Sequence, residues 1–164
     1  MASFSLLALR QIGFEGFCQI GTLRSDRCAR VPTESGVYLI LHKESDTPKF
    51  LEKGTGGRFK NREPNIPVAT LESKWVRGSP VAYIGKAGGA KSRRTLQRRL
   101  FEYVQFGCGL AVPHWGGRMI WQLSGSDNLE VCWRTHTEAD LFERELLARH
   151  AAEFGALPFA NLRR

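Results

Sequence analysis

Two short apolar runs, GVYLIL at residues 36–41 and VAYI at residues 81–84, constrain the fold of this chain most strongly. Both combine β-branched and aromatic residues between turn-forming residues, a composition typical of buried strands. Residues 43–79, which separate them, are rich in glycine, proline, asparagine and charge. That composition is typical of a long irregular connection. We therefore expect a β-hairpin pair whose connecting segment has been expanded by an insertion.

The remaining segments predict a mixed protein. A third strand is expected at LEVCW, and helices are expected at SLLALRQIGF, at VATLESKWV within the insertion, and over residues 92–106 and 137–155. The order of these elements predicts an α/β (α+β) fold, with a small three-stranded antiparallel sheet flanked by helices. In a chain of 164 residues, we expect one domain over residues 31–164, with its insertion at about 43–79. Residues 1–30 are expected to form an N-terminal extension of helix and loop.

Positive charge is concentrated in one part of the chain. The formal net charge is +8 at pH 7, and residues 73–101 contain eight lysines and arginines but no aspartate or glutamate. Such clustering focuses a positive field on one region, so we expect a polyanionic partner. The plainer alternative is a set of solvated basic side chains.

Cysteine and histidine usage gives no sign of a metal centre built from these residues. The four cysteines and four histidines show no metal-ligand spacing, so free thiols are expected. The sequence contains no secretory signal pattern and no apolar run long enough to span a membrane. We therefore expect a reduced, cytoplasmic protein without a membrane partner.

The segment GKAGGAKS at residues 85–92 differs at one position from the phosphate-binding loop GxxxxGK[ST], since Ala90 replaces its second glycine. That glycine is needed because backbone amides wrap the phosphates where a Cβ would intrude. Nucleotide hydrolases of this class also place an aspartate at the end of another strand for Mg²⁺. The other predicted strands end in LILH and VCW, without such a carboxylate. No nucleotide cofactor is therefore expected.

Charged residues fall on the apolar faces of two predicted helices. Arg99 lies at the edge of the apolar face of the helix over residues 92–106, and Glu143 and His150 lie within the apolar face of the C-terminal helix. A carboxylate on an inward face is costly unless it is paired or binds a cation. Glu143 is therefore either paired with Arg99 or a metal ligand facing a phosphate-binding Arg99. His150 is expected to be a satisfied core residue or a group behind the site.

Together these residues resemble the motifs of the GIY-YIG nucleases. The two namesake motifs match GVY at residues 36–38 and YIG at residues 83–85, while TLQRRLFEY and TEADLFERELL resemble two helices of the excision-repair nuclease subunit in that family. The resemblance covers roughly residues 31–162. The chain departs from the family in its long insertion and in a longer segment before Asn161. The resemblance implies a GIY-YIG-like fold and a site made of Tyr38, Tyr83, Lys86, Arg99, Tyr103, Glu143 and Asn161.

The resemblance implies hydrolysis of DNA phosphodiesters with one divalent cation, Mg²⁺ or Mn²⁺. Glu143 would ligate the metal, and Arg99 would stabilise the charge that develops on phosphorus. Tyr38 or Tyr83 would activate water, because Lys86, Arg99 and the metal would lower the pKa of the tyrosine. Tyr103 would orient water or phosphate. The alternative function is a non-catalytic nucleic-acid-binding protein that retains the fold.

Several further residues are candidates for supporting roles. His114 lies near the position of an active-site histidine in some phage homing endonucleases, or it is a loop histidine packed on Trp115. The insertion, with basic residues among Phe50, Phe59 and Trp75, is either a DNA-binding element or a solvated cover. RNA is not excluded as a substrate, and the oligomeric state is left open. Contacts to phosphates without sequence readout are expected from Lys91, Arg93, Arg94 and Arg98.

Overall fold

The computed structural model describes residues 3–43 and 47–162. Residues 44–46 of the predicted insertion and the last two residues of the predicted domain lie outside the described part. The helices are α1 (Leu6–Gln11), α2 (Ile20–Ser25), α3 (Val68–Lys74), α4 (Leu96–Gly107) and α5 (Ala139–Phe154). The strands are β1 (Glu15–Gln19), β2 (Gly36–Leu41), β3 (Val81–Ala87) and β4 (Glu130–Thr135).

The sheet has four strands in the order β1-β4-β2-β3, and all three pairings are antiparallel. The prediction of a mixed fold with an antiparallel sheet and flanking helices is confirmed, but the prediction of three strands is wrong. The additional strand, β1, comes from the N-terminal extension and pairs with β4. Its ladder is interrupted by a bulge between Gly16 and Cys18, and Phe17 has a φ of 53°. A strand this short and irregular lacks the alternation of apolar and polar residues that identifies strands from sequence.

Strand β2 lies at the centre of the molecule and is buried along its whole length. Its alternate side chains contribute to two apolar layers: Tyr38 and Ile40 face one layer, and Val37, Leu39 and Leu41 face the other. Helix α4 packs in the first layer and α5 in the second. Helices therefore cover both faces of the sheet, which explains why GVYLIL reads as a continuous apolar run.

The turns at the ends of the two long helices follow local rules. Thr95 caps α4, because its hydroxyl accepts a hydrogen bond from the amide of Arg98 at 3.1 Å. Gly155 ends α5 in the left-handed conformation, with a φ of 75°. The helices predicted over residues 92–106 and 137–155 therefore match α4 and α5 to within a few residues at each end.

The insertion packs against the body of the protein. Leu71 on α3 is fully buried, and Phe50 forms an isolated bridge with Leu123. The buried side chain of Gln122 joins two parts of the insertion by donating to the carbonyls of Leu51 (3.0 Å) and Ile66 (2.9 Å). The described part of the insertion therefore packs as part of the folded domain.

Within the described part of the chain, no helix is long and apolar enough to cross a membrane. The four cysteines are free thiols, as predicted.

Candidate active site

Four of the residues predicted for the site line one cavity of about 270 Å³. Tyr83 and Lys86 come from β3, Arg99 from α4 and Glu143 from α5. Two cationic side chains, a carboxylate and a phenol thus meet from three elements that are distant in sequence. Tyr83 and Glu143 also line an adjoining cavity of about 540 Å³, which extends to Gly117 and Asn161.

The YIG segment of β3 packs closely against the GVY segment of the neighbouring strand β2. Tyr38 is the register partner of Gly85, and a Cβ at Gly85 would collide with the Tyr38 ring. A side chain at that position would therefore displace the tyrosine. The glycine of YIG and the tyrosine of GVY form one packing unit, which fixes the position of Tyr83 two residues away.

Glu143 lies in a largely buried position beside a lysine. Its side chain is only 12% exposed, and Oε2 lies 3.5 Å from Lys86 Nζ. Lys86 also donates a hydrogen bond to Asp140, one turn before Glu143 on α5. Lys86 is therefore shared between two carboxylates of α5, which hold it at the mouth of the cavity.

Asp140 was not identified from the sequence. Its Oδ2 accepts the amide of Ala90 at 2.7 Å, and the Lys86 contact, followed by this bond, lowers the pKa of Asp140 below its usual range. A Cβ at Gly89, whose φ is 107°, would collide with the carboxylate. Asp140 therefore fixes the GGAKS turn against α5. The sequence feature that could have indicated Asp140 is its spacing of three residues from Glu143, which places both side chains on one helix face.

The phosphate-binding-loop alternative is not supported by the geometry of residues 85–92. The amide of Ala90 donates to Asp140, and α4 begins only at Leu96, after an intervening segment. In a phosphate-binding loop the amides face the ligand and a helix follows directly. The antiparallel sheet also differs from the parallel sheet of such proteins.

Arg99 is held near the cavity by contacts on two sides. Its Nη1 donates to the carbonyl of Pro113 at 3.0 Å and lies 3.5 Å from Glu102 Oε2. Glu102, another residue missed from the sequence, is only 3% exposed. Its signal was its position three residues after Arg99 and four after Arg98, at the end of the acid-free stretch.

Tyr38, Tyr103 and His114 form a buried aromatic cluster behind the cavity. The hydroxyl of Tyr38 lies 3.0 Å from His114 Nε2, and the His114 ring packs on Tyr103 with centroids 4.4 Å apart. The hydroxyl of Tyr103 donates to the carbonyl of Gly117 at 2.9 Å. Tyr38 and Tyr103 are therefore placed in the interior, beside the cavity lining. His114 packs on Tyr103, whereas Trp115 contacts Phe106.

Burial dominates the ionisation of this cluster. It raises the pKa of Tyr38 and of Tyr103 well above the usual value near 10. Burial also raises the pKa of Tyr83 to about 12; the Arg99 charge opposes that rise and the Glu143 charge adds to it. The pKa of His114 is held well below its usual range by burial and then by Arg99. His114 is therefore neutral at neutral pH.

Asn161 binds the backbone of β3 at the level of Tyr83. Its Oδ1 accepts the amide of Ile84 at 3.0 Å, and its Nδ2 donates to the carbonyl of the same residue at 2.8 Å. Both polar atoms are therefore used to hold the outer edge of the strand. The side chain of Asn161 lines the 540 Å³ cavity, but its hydrogen bonds hold the YIG segment in position.

The basic residues Lys91, Arg93, Arg94 and Arg98 surround a shallow concavity of about 470 Å³. This surface continues into the 270 Å³ cavity, because Ser92 and Arg94 line both. Predicted phosphate-contacting residues and predicted catalytic residues are thus adjacent.

Glu143 is the one carboxylate among the described side chains that line the 270 Å³ cavity. Among residues 3–43 and 47–162, no group of three or more His, Cys, Asp or Glu side chains could hold a metal. Mg²⁺ retains several waters and is commonly bound through one or two carboxylates together with substrate phosphate oxygens. Glu143, largely buried at the wall of two cavities, fits that requirement.

A larger hollow of about 1300 Å³ lies elsewhere, lined by residues such as Phe4, Leu41 and Trp75. Volume alone does not identify a reactive site, and the predicted catalytic side chains line the smaller cavities.

No family model, no curated protein and no solved structure matches the chain. Support for a function therefore comes from the geometry of the site.

Proposed function

We propose that this protein is a metal-dependent endonuclease of the GIY-YIG type that hydrolyses DNA phosphodiester bonds. The observation that carries the proposal is the meeting of Tyr83, Lys86, Arg99 and Glu143 at one small cavity. A phosphodiesterase needs a cationic phosphate site, a metal ligand and a proton acceptor, and these four side chains supply that set.

Glu143 is the proposed ligand for Mg²⁺ or Mn²⁺. When bound, the cation supplies Lewis-acid stabilisation of the phosphate charge and lowers the pKa of nearby groups. Arg99, held by Pro113 and Glu102, donates to the phosphate oxygens on which charge accumulates. Lys86, shared between Asp140 and Glu143, adds a further positive charge at the mouth.

Tyr83 is the proposed proton acceptor for the attacking water. It lines the cavity, whereas the ring of Tyr38 is fully buried behind it. The Arg99 charge opposes the rise in the pKa of Tyr83, and the raising influence of the Glu143 charge would be cancelled if a bound cation neutralised that carboxylate. A cation held by Glu143 would therefore favour the tyrosinate form of Tyr83, which is the form that accepts a proton from the attacking water.

The basic concavity beside the cavity supports a polynucleotide substrate. Its residues are adjacent to the proposed cleavage site through Ser92 and Arg94, so a strand could run from one to the other. A non-catalytic nucleic-acid-binding protein remains the alternative function, and it needs no convergence of Tyr83 and Glu143.

A cleavage assay tests the proposal. Supercoiled, linear, flapped and single-stranded DNA are incubated with the protein and Mg²⁺ or Mn²⁺, beside Glu143→Ala and Arg99→Ala. The matched controls are Glu145→Ala and Arg149→Ala, two exposed positions on the same helix as Glu143. We expect metal-dependent cleavage that is lost in the first pair and kept in the second. Binding without any cleavage favours the alternative, and cleavage that survives both site substitutions refutes the site.

A further inference from the structure

Glu102 is a buried carboxylate surrounded by three guanidinium groups. Its side chain is only 4% exposed, and its oxygens accept hydrogen bonds from Arg94 Nε at 3.0 and 3.2 Å and from Arg98 Nε at 3.1 Å. Arg99 Nη1 lies 3.5 Å from the same carboxylate. A single anion is therefore the common partner of all three arginines.

The charge balance of this group remains positive. Three guanidinium charges and one carboxylate leave a net charge of about +2, so Glu102 permits the arginines to lie together without cancelling their attraction for an anion. Burying a carboxylate is costly unless it is paired and hydrogen-bonded. Because Glu102 is fully engaged in this way, it can fix the directions of side chains that are themselves partly exposed.

Two of the three arginines line the proposed cleavage cavity. Arg94 and Arg99 are both part of its wall, and Arg94 also lines the adjoining basic concavity. The bonds from Arg94 to Glu102 use Nε. The terminal Nη groups of Arg94 are consequently the atoms that can donate hydrogen bonds to a phosphate.

We infer that Glu102 is a positioning residue that holds Arg94 and Arg99 as a pair on the substrate backbone, with Arg99 at the phosphate to be cleaved and Arg94 at its neighbour. This inference rests on the proposed function and specifies it: the substrate carries at least two consecutive phosphates. A guanidinium that is already oriented loses less conformational entropy on binding than one that is free.

The inference makes a prediction opposite in sign to simple electrostatics. Glu102→Gln removes one negative charge, which by long-range attraction alone would strengthen DNA binding. If Glu102 positions the two arginines, the variant instead binds a fluorescein-labelled duplex about threefold more weakly in EDTA, because both side chains must be ordered on binding. Its single-turnover cleavage rate with Mg²⁺ falls about tenfold. Glu145→Gln, which removes an exposed carboxylate from α5, is the matched control and keeps wild-type cleavage.

A double-mutant cycle separates positioning from a general loss of stability. Glu102→Gln, Arg94→Ala and the double variant are compared by duplex affinity in EDTA and by cleavage rate. Positioning through Arg94 predicts that Glu102→Gln has a smaller effect when Arg94 is absent. Fully additive losses, tighter binding or an unchanged cleavage rate in Glu102→Gln overturn the inference.

Two further arms keep the test decisive. If Glu102→Gln does not fold, Arg94→Lys takes its place, because Arg94 is 43% exposed and lysine keeps the charge without the guanidinium geometry. About tenfold slower cleavage is expected from Arg94→Lys, and wild-type behaviour overturns the inference. If the wild type cleaves no DNA, the proposed nuclease function fails, and the cycle measured by affinity in EDTA still decides the role of Glu102.

Discussion

Tyr38 and His114 are joined across the interior of the protein, with the tyrosine hydroxyl 3.0 Å from His114 Nε2 and both side chains fully buried. The pKa of His114 lies well below its usual range and that of Tyr38 well above. At neutral pH the two rings are therefore uncharged, and the tyrosine hydroxyl and the imidazole Nε2 share a hydrogen bond. Tyr38 also packs against Tyr83, with ring centroids 6.0 Å apart, so this neutral pair lies next to a residue of the cavity lining.

The three tyrosines of the chain are all buried and their rings contact one another, so the folded protein should show no tyrosine titrating near pH 10. In the unfolded chain the tyrosines lose their protons near that pH, whereas the fold retains them. Above about pH 10 stability therefore falls, by up to about 1.4 kcal/mol per pH unit for each tyrosine. Ultraviolet absorbance of tyrosinate, followed alongside circular dichroism, measures both transitions.

We expect tyrosinate to appear together with loss of the circular dichroism signal. Protein unfolded in urea serves as the control and should titrate near the usual value of about 10. A tyrosine that ionises near pH 10 while the fold is intact would contradict the burial of the cluster.

Tyr83→Phe and Tyr38→Phe should have different consequences. Tyr83→Phe removes the proposed proton acceptor, so cleavage should slow by about 10²-fold or more with little change in stability. Tyr38→Phe leaves His114 Nε2 without its hydroxyl partner and should cost about 1–3 kcal/mol of unfolding free energy. Single-turnover cleavage and urea denaturation separate the two effects. Equal loss of cleavage in both variants, at equal stability, would show that Tyr83 has no special role.

His150 should make the protein less stable in mild acid. It is fully buried, with Nε2 2.7 Å from Ser79 Oγ and Nδ1 2.7 Å from the carbonyl of Ala156. Burial lowers its pKa below the usual 6.5. The unfolded chain therefore takes up a proton that the fold resists, and stability falls as the pH drops below about 6.5, by up to about 1.4 kcal/mol per pH unit.

His150→Gln should flatten that dependence, because glutamine does not titrate. Thermal unfolding at several pH values from about 7.5 to about 5.5 is the measurement, a window above the usual carboxylate pKa values. His114, whose pKa is also lowered, should supply the remaining slope. A variant with the full wild-type slope would exclude His150 as a source.

Asn161→Ala should act mainly on stability. The substitution removes both hydrogen bonds to the backbone of Ile84, so the unfolding free energy should fall by about 1–3 kcal/mol. Hydrogen exchange of the Ile84 amide should accelerate at the same time. Cleavage measured well below the unfolding temperature should fall less than in Tyr83→Phe. If cleavage is abolished while stability is unchanged, Asn161 instead acts on the substrate directly.

The sequence predicted those parts of the fold that rest on repeating patterns. Strands β2 and β3 were recognisable because their apolar runs are continuous, and the inward position of Glu143 followed from the helical period. Strand β1 was missed because a bulge and a positive φ at Phe17 interrupt its pattern. The packing of the insertion was also hidden, since it depends on single residues such as Leu71 and on the side chain of Gln122.

The candidate site was predicted unevenly for a similar reason. Arg99 and Glu143 could be identified because each lies on or beside an apolar face of its own helix. Asp140 and Glu102 were not predicted, because their roles depend on partners that only the fold brings near, such as the amide of Ala90 and the side chain of Arg94. Which of the two tyrosines borders the cavity likewise depends on the fold, since Tyr83 lies on the edge strand β3 and Tyr38 on the inner strand β2 beside it.

The contacts between the C-terminal segment and β3 affect more than the position of Tyr83. Strand β3 is the last strand of the sheet, and its outer side meets Asn161 and the amide of Ala160, which donates to the carbonyl of Ala82 at 2.8 Å. An open strand of this kind is a template for pairing with a second molecule. By occupying these backbone groups, the segment acts as a barrier to self-association through the sheet.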